Sequence, residues 1–150
     1  MTNQMFKRGL IKIVNNQKKE GLSKKKLDNL LKKWQKRLSL NDWNISLKIV
    51  NFKRKDYRQS GDFVADRRNK KAIIFMAADP FLKDQNTIEK EEIKTLVHEL
   101  THVRLWNLDN FIEETVLKSR KNFDKEYQIY LGKLEKTVDD LTQILLSARS

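Results

Sequence analysis

Apolar residues at Leu27, Leu30, Leu31, Trp34 and Leu38 recur every three or four positions with lysines between them, so the stretch after Ser23 reads as a helix with one buried side. A shorter helix is expected over about residues 4–15, ending before Gly21. Trp43-Asn-Ile-Ser-Leu-Lys-Ile49 then alternates apolar and polar positions, the period of a strand with one buried face. Residues 61–66 and 71–76 read as two further strands, paired as a hairpin through the polar Arg67-Arg-Asn-Lys70 turn. Pro80 ends the sheet region, and Asn86 with Glu89 three residues on resembles a capping box opening a helix that runs to about Trp106. Helix is expected again over about residues 110–131 and, after Gly132, over 134–148, with Leu131, Val138, Leu141, Ile144 and Leu145 close to one face.

The pattern predicts an α+β fold: N-terminal helices, a small twisted sheet of three strands or slightly more, then a run of helices. At 150 residues the chain suits one domain, 1–150, with a basic helical segment over about residues 1–40. The absence of cysteine excludes disulfides, thiolate metal sites and cysteine nucleophiles, and makes the cytoplasm the expected location. No run approaches the 18 or so apolar residues of a membrane span, so no membrane partner is expected, and no cleaved secretion signal is expected either. The net charge of +12 is uneven: residues 1–40 hold twelve lysines and arginines against Glu20 and Asp28, a net of +10. Such a segment either keeps an amphipathic helix wet or holds phosphates of a nucleic acid by counterion release.

Residues 98–102 read His-Glu-Leu-Thr-His and contain the only two histidines of the chain. Four positions apart on a helix, His98 and His102 lie one turn above each other and can grip one ion from the same face. Glu99 then stands beside the open coordination position, where its carboxylate can accept a proton from the attacking water and return it to the leaving group. Catalytic zinc sites use three protein ligands, so a third is required. No further histidine exists, and Leu108 occupies the place of a third histidine six residues after His102. Glu113, Glu114 and Glu135 are the candidates. Glu135 is preferred because it opens a helix with an apolar face, and because Asp139, four residues later, can accept the outer N–H of a ligand histidine. Tyr127, Tyr130 and Arg120 have the chemistry to stabilise an oxyanion, but helix positions of this kind are more often packing or solvent-facing, and none is assigned.

With these residues in place, the chain resembles the zincin metallopeptidases of the gluzincin type, and more closely the small metallopeptidases encoded by phages and prophages. The resemblance covers about residues 38–148: Leu38-Ser-Leu-Asn-Asp-Trp43 before a strand, Ala72-Ile-Ile before the active helix, Leu96-Val-His-Glu-Leu-Thr-His-Val103, and the Glu135-x-x-Val138-x-x-Leu141 helix. It implies a twisted sheet, an active-site helix, a later helix bearing a glutamate ligand, one Zn2+, and a peptide or protein substrate. The strand nearest the cleft, expected at residues 71–76, would pair with an extended substrate. The chain departs from thermolysin-like enzymes in lacking their Asn-Glu pair, and from SprT-like proteases, which act on DNA-bound proteins, in lacking their third histidine. The leading expectation is a zinc-dependent peptidase with Glu99 as general base. The alternatives are a nucleic-acid-associated binding module with a vestigial or structural metal site, and a SprT-like protease acting on nucleic-acid-bound proteins.

Overall fold

The computed structural model describes residues 11–14, 20–52, 60–78 and 84–148. The chain is α+β. Along it run β1 (Ile11–Ile13), α1 (Lys24–Arg37), β2 (Asn44–Phe52), β3 (Gly61–Asp66), β4 (Lys71–Ala77), α2 (Gln85–Phe111), a π-helical segment (Ile112–Leu117) and α3 (Phe123–Ser147). The strands form one sheet in the order β1-β2-β4-β3; β2 and β4 are parallel, and both outer strands are antiparallel to their neighbours.

The register sorts the side chains by face. Ile45, Leu47 and Ile49 of β2 lie level with Ala72, Ile74 and Met76 of β4, and Phe63 and Ala65 of β3 fall on that same face. This face meets Leu27, Leu31 and Trp34 of α1 and Leu96, Val97, Leu100 and Val103 of α2 to form the main core. The opposite face gathers Val50 and Phe75 with Phe52, Val64 and Ile73 in a smaller apolar cluster. Among the described residues no helix is long and apolar enough to cross a membrane.

Helix α1 starts where the Ser23 hydroxyl accepts the Lys26 N–H, satisfying one of the donors a helix start leaves open. Its exit is pinned by Gln35, whose Nε2 donates to the Leu40 and Trp43 carbonyls and so fixes the turn into β2. The loop before α1 docks on α2: Leu22 N–H donates to buried Glu92 Oε1 at 2.7 Å, and the Gln85 amide pairs with both backbone groups of Gly21. Gly21 has φ +75°, and a Cβ there would stand 1.9 Å from Glu92 Oε1, so only glycine allows this approach.

Four expectations are corrected. Ile11–Ile13 is a strand on the Val50–Phe52 edge rather than part of a helix, because Ile11, Ile13 and Val14 are β-branched and β2 offers a backbone partner; the rest of the helix expected over 4–15 lies outside the described residues. Helix α2 is capped by Asp84, which accepts the Thr87 N–H and hydroxyl, not by Asn86, and it runs five residues past Trp106 to Phe111. The helical break falls at residues 118–122 instead of at Gly132, which sits inside α3 with open space around it, where glycine costs a helix only about 1 kcal/mol. Ile144 is 61% exposed, and Thr142 takes the fully buried place, its hydroxyl satisfied by the Val138 carbonyl.

Candidate metal centre

His98, Glu99 and His102 lie in the middle of α2, which is covered on two sides. Thr95 and His102 meet β3: the Thr95 hydroxyl donates to Ser60 Oγ at 3.2 Å, and Phe63 stacks on the His102 ring at 5.0 Å and 13°. His98 meets α3 through Glu135 and Asp139. His102 therefore lies between the sheet edge and the last helix, and His98 against the last helix, with the ring centroids 5.0 Å apart.

The two Nε2 atoms converge on one carboxylate. His102 Nε2 lies 2.8 Å from Glu135 Oε1, and His98 Nε2 lies 3.3 Å from Glu135 Oε2. All three donor groups fall within 4.8 Å of one another. A tetrahedral ion with bonds of about 2.1 Å holds its ligands about 3.4 Å apart, so these donors already stand close to the separations such an ion imposes. The His98 Nδ1 atom is 3.0 Å from Asp139 Oδ1, the outer contact expected from the sequence. His98 thus has a carboxylate at each nitrogen. The His98, His102 and Glu135 donors are placed so that they could hold a metal ion.

The charges respond accordingly. Hydrogen bonds from His102 and then His98 hold the Glu135 carboxyl well below the usual carboxylate range. The Glu135 contact raises the His98 pKa against the opposing effect of burial. Glu99 behaves in the opposite sense to Glu135: it is only 7% exposed, and burial, helped by Asp62 and Glu135, pushes its pKa up to about 8 against the pull of His98. Burial and hydrogen bonding thus shift the two glutamates in opposite directions, Glu99 up and Glu135 down.

The alternative third ligands are engaged elsewhere. Glu113, in the π-helical segment, interacts with Tyr127, and its carboxyl is raised by burial and by Asp109. Glu114 pairs with Lys118 at 3.3 Å. The Tyr130 hydroxyl donates to buried Asp109 at 2.7 Å, and Arg120 pairs with Glu126 at 2.9 Å. None of these eight residues lines the cleft over the histidines.

That cleft encloses about 420 Å³, between the outer edge of β3, the exposed turns of α2 and the Glu135–Asp139 side of α3. Sequence reasoning missed Gly61 and Lys94 among its walls. Gly61 faces inward on β3, and a Cβ there would stand 2.5 Å from the Thr95 methyl and 3.3 Å from Glu99 Oε1, so its missing side chain lets the edge strand run against the turn that carries Glu99. Lys94 precedes His98 by one turn, a spacing the sequence displays as plainly as that of the histidines. The strand expected to border the cleft, residues 71–76, is instead interior, paired on both sides by β2 and β3; the bordering strand is β3. No protein-family model, curated protein or solved structure matches the chain.

Proposed function

We propose that the protein is a zinc-dependent peptidase in which His98, His102 and Glu135 hold the ion and Glu99 is the general base. The observation that carries this reading is the convergence of both Nε2 atoms on Glu135 beside a buried carboxylate at the floor of a cleft. Two imidazoles and one carboxylate, with no thiolate, suit zinc among the biological divalent ions. When bound there, the ion lowers the pKa of water towards neutrality and polarises the scissile carbonyl. The succession of sheet, histidine helix and glutamate-bearing helix agrees with the zincin plan that the sequence resembles.

The remaining steps belong to the chain's own residues. β3 has no strand partner on its outer side among the described residues, so its backbone can pair with an extended peptide and lay the scissile bond over the histidines. Asp139 keeps the His98 Nδ1 proton in place and so directs Nε2 inward. Phe63 holds the His102 ring against rotation. Glu99 Oε accepts the proton of the attacking water and delivers it to the departing amine nitrogen. The test is Glu99→Gln on the zinc-loaded protein with an unstructured protein as substrate. Hydrolysis lost with zinc retained supports the reading; hydrolysis unchanged overturns it.

A second reading, a nucleic-acid-associated module, is favoured by α1. Its Lys25, Lys26, Lys32, Lys33, Lys36 and Arg37 are all exposed, and among the described residues its one carboxylate ion pair is Lys24–Asp28. Helix α3 is also largely exposed but stays wet with charges of both signs. Like-charged pairs one turn apart, Lys32 with Lys36 and Lys33 with Arg37, cost α1 a few tenths of a kcal/mol each, a strain that a phosphate backbone would relieve. The apolar stripe of α1 is buried, so base stacking has no aromatic to use there. Binding to duplex DNA, read by anisotropy, should weaken steeply with salt and at least about tenfold on reversing Lys25, Lys26 and Lys33 to glutamate. Absent or salt-independent binding dismisses this reading and leaves the lysines as a solvated face. Should both readings hold, the peptidase would act on nucleic-acid-bound proteins.

A further inference from the structure

One cation of the cleft has no part in the chemistry above. Lys94 is half-buried in the cleft wall, where the other ionisable groups among the described residues are five carboxylates, Asp62, Glu91, Glu99, Glu135 and Asp139, and the two histidines. Among the described residues no carboxylate pairs with its ammonium, although Glu91 stands three residues before it on the same helix. Three other helical lysines, each four residues from an acid, do pair with it: Lys24 with Asp28, Lys118 with Glu114, Lys136 with Asp140. Lys94 lies about 6 Å along the helix axis from His98 on the same face, and both side chains line the cleft.

We propose that Lys94 is a catalytic residue that stabilises the oxyanion of the tetrahedral species during peptide hydrolysis. This rests on the peptidase reading. In the step concerned, the water oxygen bonds to the carbonyl carbon, the C=O π pair moves to the carbonyl oxygen, and the water proton passes to Glu99. The carbon–nitrogen bond then breaks, its electron pair stays on nitrogen, and nitrogen takes the proton from Glu99. The negative charge on the carbonyl oxygen exists only between these events, and a fixed cation beside it lowers the barrier without strengthening ground-state binding. Several other donors are engaged. Tyr130 and Arg120 serve Asp109 and Glu126, Tyr127 is held by Glu113, and the Thr95 hydroxyl gives its proton to Ser60. Among the described residues Lys94 is the lysine that lines the cleft, with no carboxylate partner and one turn from His98.

The experiment compares Lys94→Met and Lys94→Arg with the unaltered protein, all zinc-loaded. Lys94→Met should lower kcat about 10²- to 10³-fold, with KM and zinc content nearly unchanged, and Lys94→Arg should recover part of the loss. By calorimetry, a peptide phosphonamidate, which carries a tetrahedral anion, should lose affinity in proportion to kcat/KM, while a peptide hydroxamate should bind Lys94→Met as before. An active protein whose Lys94→Met variant keeps its kcat, or loses both inhibitors equally, overturns the role of Lys94 and leaves the peptidase reading standing. An unaltered, zinc-loaded protein that cleaves no peptide overturns both.

Discussion

Replacing Glu99 by glutamine should reduce hydrolysis about 10²- to 10⁴-fold while the protein keeps its zinc and its fold. The substitution removes proton-accepting capacity and almost nothing else. Glutamine has the shape of glutamic acid, and the site already disfavours a charge: Glu99 is 7% exposed, and burial lifts its pKa to about 8. A neutral amide should therefore sit in this place at least as comfortably as the carboxylate, and thermal unfolding of the stripped protein should move little or upward. Glu99 is also absent from the group of donors within 4.8 Å of one another, so zinc content should not follow activity. Loss of zinc in this variant would make Glu99 a ligand.

Glu135→Ala should weaken zinc binding by more than about 100-fold, beyond the 10- to 100-fold that removing an outer partner such as Asp139 costs. The reason is the loss of one of three ligands, leaving two histidines that alone do not make a protein zinc site. Because the Glu135 side chain is 54% exposed, its removal should not unfold α3, and the rise in melting temperature that zinc gives the unaltered protein should shrink with the affinity. Retention of tight zinc binding would remove Glu135 from the set, and neither Glu113 nor Glu114 stands where it could take over.

What the sequence made legible was whatever depends on spacing within one element. His98 and His102 four apart, Glu135 and Asp139 four apart, and the alternation of residues 43–49 each fix a face locally, and the structure brings the histidines against Glu135. What it hid depends on which elements become neighbours. No local pattern says that β4 enters between β2 and β3, and this order is what makes β3 the cleft border and turns residues 71–76 into an interior strand. For the same reason Gly61 carried no signal, since its small size matters only against Thr95 and Glu99, 34 and 38 residues away. Helix α2 blurs its own periodicity by burying residues towards both the sheet and α3, which is why its end was misplaced. The β-branched Ile11 and Ile13 form a strand because β2 is there to pair with them.

Zinc K-edge absorption spectroscopy of the unaltered protein, loaded with one equivalent of zinc, addresses the proposed site most directly. The predicted spectrum has two imidazole nitrogens and one carboxylate oxygen, with light-atom distances of about 2.0 to 2.2 Å and four- or five-fold coordination. A shell of six oxygens without imidazole scattering, or no zinc retained after desalting, would contradict it.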